Sequence, residues 1–145
     1  MNKNYIDKKI RMIIKYNNSL YDIAKSNGIT ILEVDLGEFT NGLYLYLEKH
    51  RLILLNNRLS ESHKKIVLAH EIGHAILHTK INCAFIKKYT YLSVNSYEVD
   101  ANYFSCRVLS ELNILADDNL CIYAHEITEL DYEFIQLFNN FAKSN

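Results

Sequence analysis

The sequence predicts an α+β domain in which a short, mostly antiparallel sheet packs against one central helix and further helices. Two changes of apolar period carry this expectation. Residues 43–48 alternate as Leu-Tyr-Leu-Tyr-Leu-Glu, and the apolar run Arg51-Leu-Ile-Leu-Leu-Asn56 follows a Glu-Lys-His turn, so a hairpin stands in the first half of the chain. On either side, the apolar residues recur at the three-to-four spacing of a helix face.

Taken in order, residues 5–26 place Ile10, Ile13, Ile14, Leu20, Ile23 and Ala24 amid Lys and Asn, which predicts helix interrupted near Asn17-Asn18-Ser19. Asn27-Gly28 ends it, and residues 29–35 have β-branched, strand-like character. The stretch Ile23 to Thr30 looks like the opening of a helix-turn-helix, but no basic recognition helix follows, so helix then strand is expected. After the hairpin, Ser60 suits an N-cap and Glu61 a positive first turn, opening a helix to about Lys80. A helix from about 96 to 115, an irregular stretch at 116–125 and a helix from about 127 to 142 complete the chain. With 145 residues and no internal repeat, one domain spanning 1–145 is expected, long enough to bury roughly 68–70% of its unfolded surface.

Composition narrows the function classes. Hydrophobic content of 49% describes a globular chain, and a net charge of -1 gives no reason to expect direct nucleic-acid binding. Residues 1–25 carry six basic and two acidic side chains and residues 108–145 one basic and seven acidic, a polarity that suits solvated surfaces. No apolar run reaches the roughly 18 residues of a membrane span and the start has no apolar leader, so a soluble, cytoplasmic protein is expected. Cys83, Cys106 and Cys121 form no C-x-x-C pair, so they read as reduced thiols in or near the core.

The chemistry is concentrated in His70-Glu71-Ile72-Gly73-His74, an H-E-x-x-H pattern. Four residues advance a helix by about 400° and about 6 Å, so His70 and His74 share a face and can share one metal ion. Glu71 lies about 100° round from His70, where it can hold an attacking water and act as general base. Chance placement of six histidines and ten glutamates would produce the pattern only about 0.02 times in this length. Ile66, Val67, His70, Gly73, His74 and Leu77 form a core-facing stripe, and two imidazoles on such a stripe need partners, which a metal supplies.

A catalytic zinc usually takes three protein ligands. Positions 77 and 80 are Leu and Lys, which excludes the three-histidine extension of the motif, and His78 lies too far along the helix for the same ion, so a packing or outer-sphere role is expected for it. Glu98, on the inward stripe of the next helix, is the preferred third ligand. Asn95 and Glu98 could instead form a capping box, and Asp100 is a competing ligand expected to point to solvent. Tyr89, Tyr91, Tyr97, His63 and His125 are all open as oxyanion stabilisers.

These residues resemble the ImmA/IrrE-type metallopeptidases, zincin-like proteins often encoded near bacterial mobile elements. The resemblance runs through Ile23-Ala24 to Gly28-Ile29, the strand and hairpin, Leu59-Ser60, Val67 to His74 with Leu77-His78, and Glu98-x-x-Ala101-Asn102-x-Phe104. It implies a small zincin-like domain in which His70, His74 and Glu98 hold zinc (Zn2+) and Glu71 is catalytic. It also implies cleavage of, or antagonism toward, a helix-turn-helix repressor, relieving repression. Relatives tend to have Leu-Leu-Met-Pro after this helix, where the chain has Arg107-Val-Leu-Ser110, so the helix is expected to run on. Two functions follow as expectations: a zinc endopeptidase whose substrate pairs with the strand at 51–56 or its neighbour, and a non-proteolytic anti-repressor with a structural metal.

Overall fold

The computed structural model describes residues 1–83, 95–114 and 140. Helix α1 (Lys3–Ile14) begins where the Asn2 side chain accepts from the Asn4 N–H at 2.8 Å, and it buries Ile6 and Ile10. The polar Asn17-Asn18-Ser19 break serves as a cap: the Ser19 hydroxyl accepts from the Asp22 N–H at 3.1 Å and opens α2 (Leu20–Ser26). Gly28 turns the chain at φ +67, and strand β1 (Ile29–Val34) follows, so helix-then-strand is what forms here.

Strands β2 (Gly42–Leu47) and β3 (His50–Asn56) form the expected hairpin. Its two turn residues, Glu48 and Lys49, both have positive φ, the pattern of a type I′ turn. The sheet order is β1-β3-β2, with β2 antiparallel to β3 and β1 parallel to it. The mostly antiparallel sheet therefore holds for the hairpin alone. Residues 35–41 carry the chain past the central strand, so β3 returns between its predecessors and runs alongside β1. The run Leu52-Ile53-Leu54-Leu55 suits that place, because only the central strand is paired on both edges. Residues 51–56 consequently offer no free edge, and the two neighbouring strands, β1 and β2, are the edges of the sheet, with β2 the one that carries Gly42 beside Glu71.

Tyr44 and Tyr46 turn to the side of Ile53, which is fully buried, while Leu43, Leu45 and Leu47 take the opposite face. Tyrosine can take the inner face here because the Tyr44 hydroxyl finds an acceptor, the half-buried Thr79 carbonyl. Asn56 holds the approach to β2: its amide donates to the Gly37 and Thr40 carbonyls, both at 2.8 Å.

Helix α3 (Glu61–Leu77) starts at Ser60, whose hydroxyl accepts from the His63 N–H at 3.2 Å. Its burial is wider than one stripe, since Leu68, Ala69, Glu71, Ile72, Ala75 and Ile76 are buried as well. The helix lies between the sheet and α4 (Asn95–Glu111), and α1 packs on α4. Helix α4 does run on through Arg107–Ser110, ending just before Asn113 at φ 59. Among the described residues the result is an α+β domain of four helices and three strands, with no helix long and apolar enough to cross a membrane. The irregular stretch at 116–125 and the helix expected at 127–142 lie outside the described residues, except Asn140, which is helical and exposed.

Candidate metal centre

The crossing of α3 and α4 sets the geometry of the site. A Cβ on Gly73 would stand 3.2 Å from the Ala101 Cα and from Phe104 Cδ1, and 3.3 Å from the Ala101 carbonyl oxygen. The two helix backbones thus touch where one residue has no side chain and the other has only a methyl. Glu98 lies one turn before Ala101 on α4, as His70 lies one turn before Gly73 on α3, so this close approach brings the carboxylate to the imidazoles.

Nε2 of His70 is 3.0 Å from Oε2 of Glu98 and 3.1 Å from Nε2 of His74, which is itself 3.4 Å from Oε1 of Glu98. The rings of His70 and His74 meet edge to face with centroids 4.8 Å apart. Three donor atoms from the expected residues are therefore aimed at one point. Two ligands about 2.0–2.1 Å from a tetrahedral ion stand about 3.3 Å apart, so the observed spacings fit a zinc-sized ion with little movement. The set of two imidazoles and one carboxylate is also the donor chemistry such an ion takes. Side-chain exposure falls from 30% at Glu98 through 18% at His70 to 5% at His74, so the cluster is open on the Glu98 side, where a catalytic site needs room.

Electrostatics tie the group together. Burial works against a charged Glu98, but hydrogen bonds from His70 and His74 and the charge of both rings outweigh it and hold the carboxyl far below the usual range. Burial likewise opposes a charged His70, yet the Glu98 hydrogen bond, the Glu71 and Glu98 charges and the neighbouring Asn102 amide raise its pKa. Nδ1 of His70 is nevertheless buried without a hydrogen-bond partner; the Asn102 amide stands near the ring outside hydrogen-bonding geometry.

Glu71 packs its stem against the sheet at β2, and its charge acts on His70. It is 9% exposed, and its Cγ would be 3.3 Å from a Cβ on Gly42 of β2. Glu98 turns both carboxylate oxygens to the histidines, so its carboxylate is engaged across the helix pair rather than in a capping box. Asp100 departs from the solvent-facing expectation: it is 6% exposed, accepts from His78 Nε2 at 2.9 Å and pairs with the Met1 α-amino group at 3.3 Å. Its physical reason is the packing of α1 on α4, which covers that face. His78 accordingly braces α3 against α4, with the Tyr97 ring edge-on at 4.7 Å. His63 has a buried Nε2 without a partner, and burial pushes its pKa down. Tyr89, Tyr91 and His125, the other oxyanion candidates, lie outside the described residues.

Three contacts were not foreseen. Cys83, a buried thiol as expected, puts Sγ 3.8 Å from Nδ1 of His74. Asn82 bonds to β2, and Gly42 leaves room first for Val67, whose Cγ1 a Cβ there would meet at 2.7 Å, and beside it for Glu71; the isolated glycine in a strand was the one signal that could have pointed there. Cys106 is buried, its thiol pushed up to about 12 by burial, and Cys121 lies outside the described residues.

The sequence profile of the IrrE N-terminal-like domain, Peptidase_M78, matches residues 24–134, which takes in β1 to β3, α3 and α4. The chain belongs to this ImmA/IrrE metallopeptidase family. It is 36% identical over 100 residues to an uncharacterised protein, immunity region protein 2 of Bacillus phage phi105, covering 68% of this chain and 63% of that one. It is 28% identical over 106 residues to the metallopeptidase ImmA of Bacillus subtilis, covering 72% and 62%. The matched stretch thus spans a little over three fifths of each relative.

Proposed function

We propose that this ImmA/IrrE family member is a zinc-dependent endopeptidase, one domain acting in the cytoplasm, that cleaves a helix-turn-helix repressor of a mobile element and so relieves repression. The observation that carries the reading is the convergence of His70 Nε2, His74 Nε2 and a Glu98 oxygen within 4.8 Å of one another. The immunity-region and metallopeptidase names of the two relatives support the biological direction.

In this reading His70, His74 and Glu98 hold the ion, and the imidazoles bind through neutral Nε2 with their protons on Nδ1. A zinc ion supplies Lewis acidity, which acidifies water and polarises a carbonyl. Glu71 accepts the proton of the attacking water on its carboxylate and returns it to the departing amide nitrogen. The free edge of β2, running past Glu71 at Gly42, lines up an extended segment by backbone hydrogen bonds. The substrate is a repressor protein; neither nucleic acid nor membrane takes part.

Glu71→Gln tests this directly. The variant keeps bound zinc at the wild-type ratio and loses cleavage of a cognate helix-turn-helix repressor by about 100-fold or more. Cleavage at the wild-type rate would sink the proposal. Loss of cleavage with derepression intact would instead favour the non-proteolytic anti-repressor.

A further inference from the structure

Strand β2 is an edge strand, but part of its edge is already taken. The Tyr46 N–H donates to Asn82 Oδ1 at 2.7 Å, and Asn82 Nδ2 donates back to the Tyr46 carbonyl at 3.3 Å. A side-chain amide carries the same donor and acceptor as a peptide unit, so Asn82 pairs with Tyr46 as one residue of an added strand would. Backbone groups alternate in direction along a strand, so Gly42 and Tyr44 turn theirs to the same side as Tyr46. Among the described residues no further group pairs with them there.

We propose that Asn82 is a specificity-determining residue that ends the substrate-pairing edge at Tyr44. This rests on the peptidase reading above and deepens it. Gly42 marks the Glu71 end of the edge, and Tyr46 lies about 14 Å further along the strand. With Tyr46 occupied, an extended segment finds backbone partners at Gly42 and Tyr44 alone, so only the two or three residues beside the scissile bond on that side are read. Continued pairing would require the segment to displace Asn82. The position of Asn82 is itself held, because Thr79, three residues earlier, accepts from the Tyr44 hydroxyl and donates its own hydroxyl to the Ala75 carbonyl at 2.8 Å.

The test uses the zinc-loaded full chain as wild type, Asn82→Ala and Asn82→Asp, with two measurements. The first is amide exchange at Tyr46 by NMR, which needs no substrate. Asn82→Ala speeds it by about tenfold or more while the α3 amides stay protected, and Asn82→Asp, which keeps the acceptor, changes it less. The second is cleavage of a mixed decapeptide library read by mass spectrometry. Selectivity in wild type stops two or three residues from the cut on one side; Asn82→Ala extends it by about two residues and lowers KM about threefold or more with kcat little changed. An unchanged Tyr46 exchange rate, or an identical cleavage footprint in Asn82→Ala, overturns the proposal. A wild type that cleaves no peptide while Tyr46 exchange responds as expected removes the peptidase reading instead, leaving Asn82 as the cap of an edge that binds no substrate.

Discussion

At the scale of single residues, the site depends on what is missing from Gly73. Glycine in a helix interior costs roughly 1 kcal/mol relative to alanine, so Gly73→Ala would stabilise an isolated helix by about that much. In the fold, the added methyl meets Ala101 backbone at 3.2–3.3 Å, and backbone cannot rotate away as a side chain can. Overpacking of this kind costs roughly 1–3 kcal/mol, which outweighs the propensity gain. Gly73→Ala is therefore expected to lower stability in urea by about 1 kcal/mol and to weaken zinc binding, because the helix that moves carries Glu98. Stability raised with zinc affinity intact would show that the crossing has slack. Glu98→Gln makes the complementary point: it leaves the packing unchanged, and its loss should fall on metal affinity.

At the scale of elements, the β2–β3 turn is held against its residue preferences. Glu48 and Lys49 have φ of 48 and 67, a region in which residues with a Cβ cost roughly 1–2 kcal/mol each. Replacing the pair by Asn-Gly, the preferred type I′ sequence, is expected to raise stability by about 1 kcal/mol without changing metal stoichiometry, as read by denaturation and metal analysis. The turn itself was legible, as were the break before α2, the capped start of α3 and the one-face spacing of His70 and His74, because each rests on neighbours within four residues. The inward placement of Glu98 was legible from the period of α4. What escaped depends on partners distant in sequence. Asp100 is buried by His78 and the Met1 α-amino group, Cys83 meets a ring nine residues back, and β1 lies parallel to β3 because β3 returns between β1 and β2. Periodicity within a strand cannot say which neighbour it will have, nor that tyrosines rather than leucines will face the core.

At the scale of the whole molecule, the proposed metal would join two layers, His70 and His74 from α3 and Glu98 from α4, so metal occupancy, pH and global stability should be linked. In the metal-free protein, His70 is held above its ordinary 6.5, so its stabilising contribution is complete below that pH and is lost as pH rises through the folded value. Glu98 is held below 4.5, so its contribution is present above that pH and is lost on strong acidification. His63, lowered by burial, and His78, lowered by burial against the opposing pull of Asp100, act in the other sense: their contributions are lost as pH falls through values under 6.5. Proton NMR of chelator-treated protein should therefore resolve His70 titrating above 6.5 and His63 and His78 below it. Zinc needs neutral imidazoles, so uptake must expel the proton that the Glu71 and Glu98 charges hold on His70. Apparent zinc affinity is then expected to rise by about tenfold per unit between about pH 5 and 6.5, with proton release measurable by calorimetry in two buffers. Affinity independent of pH across that range would show that His70 is not a ligand, since no other assignment of the cluster spares its proton.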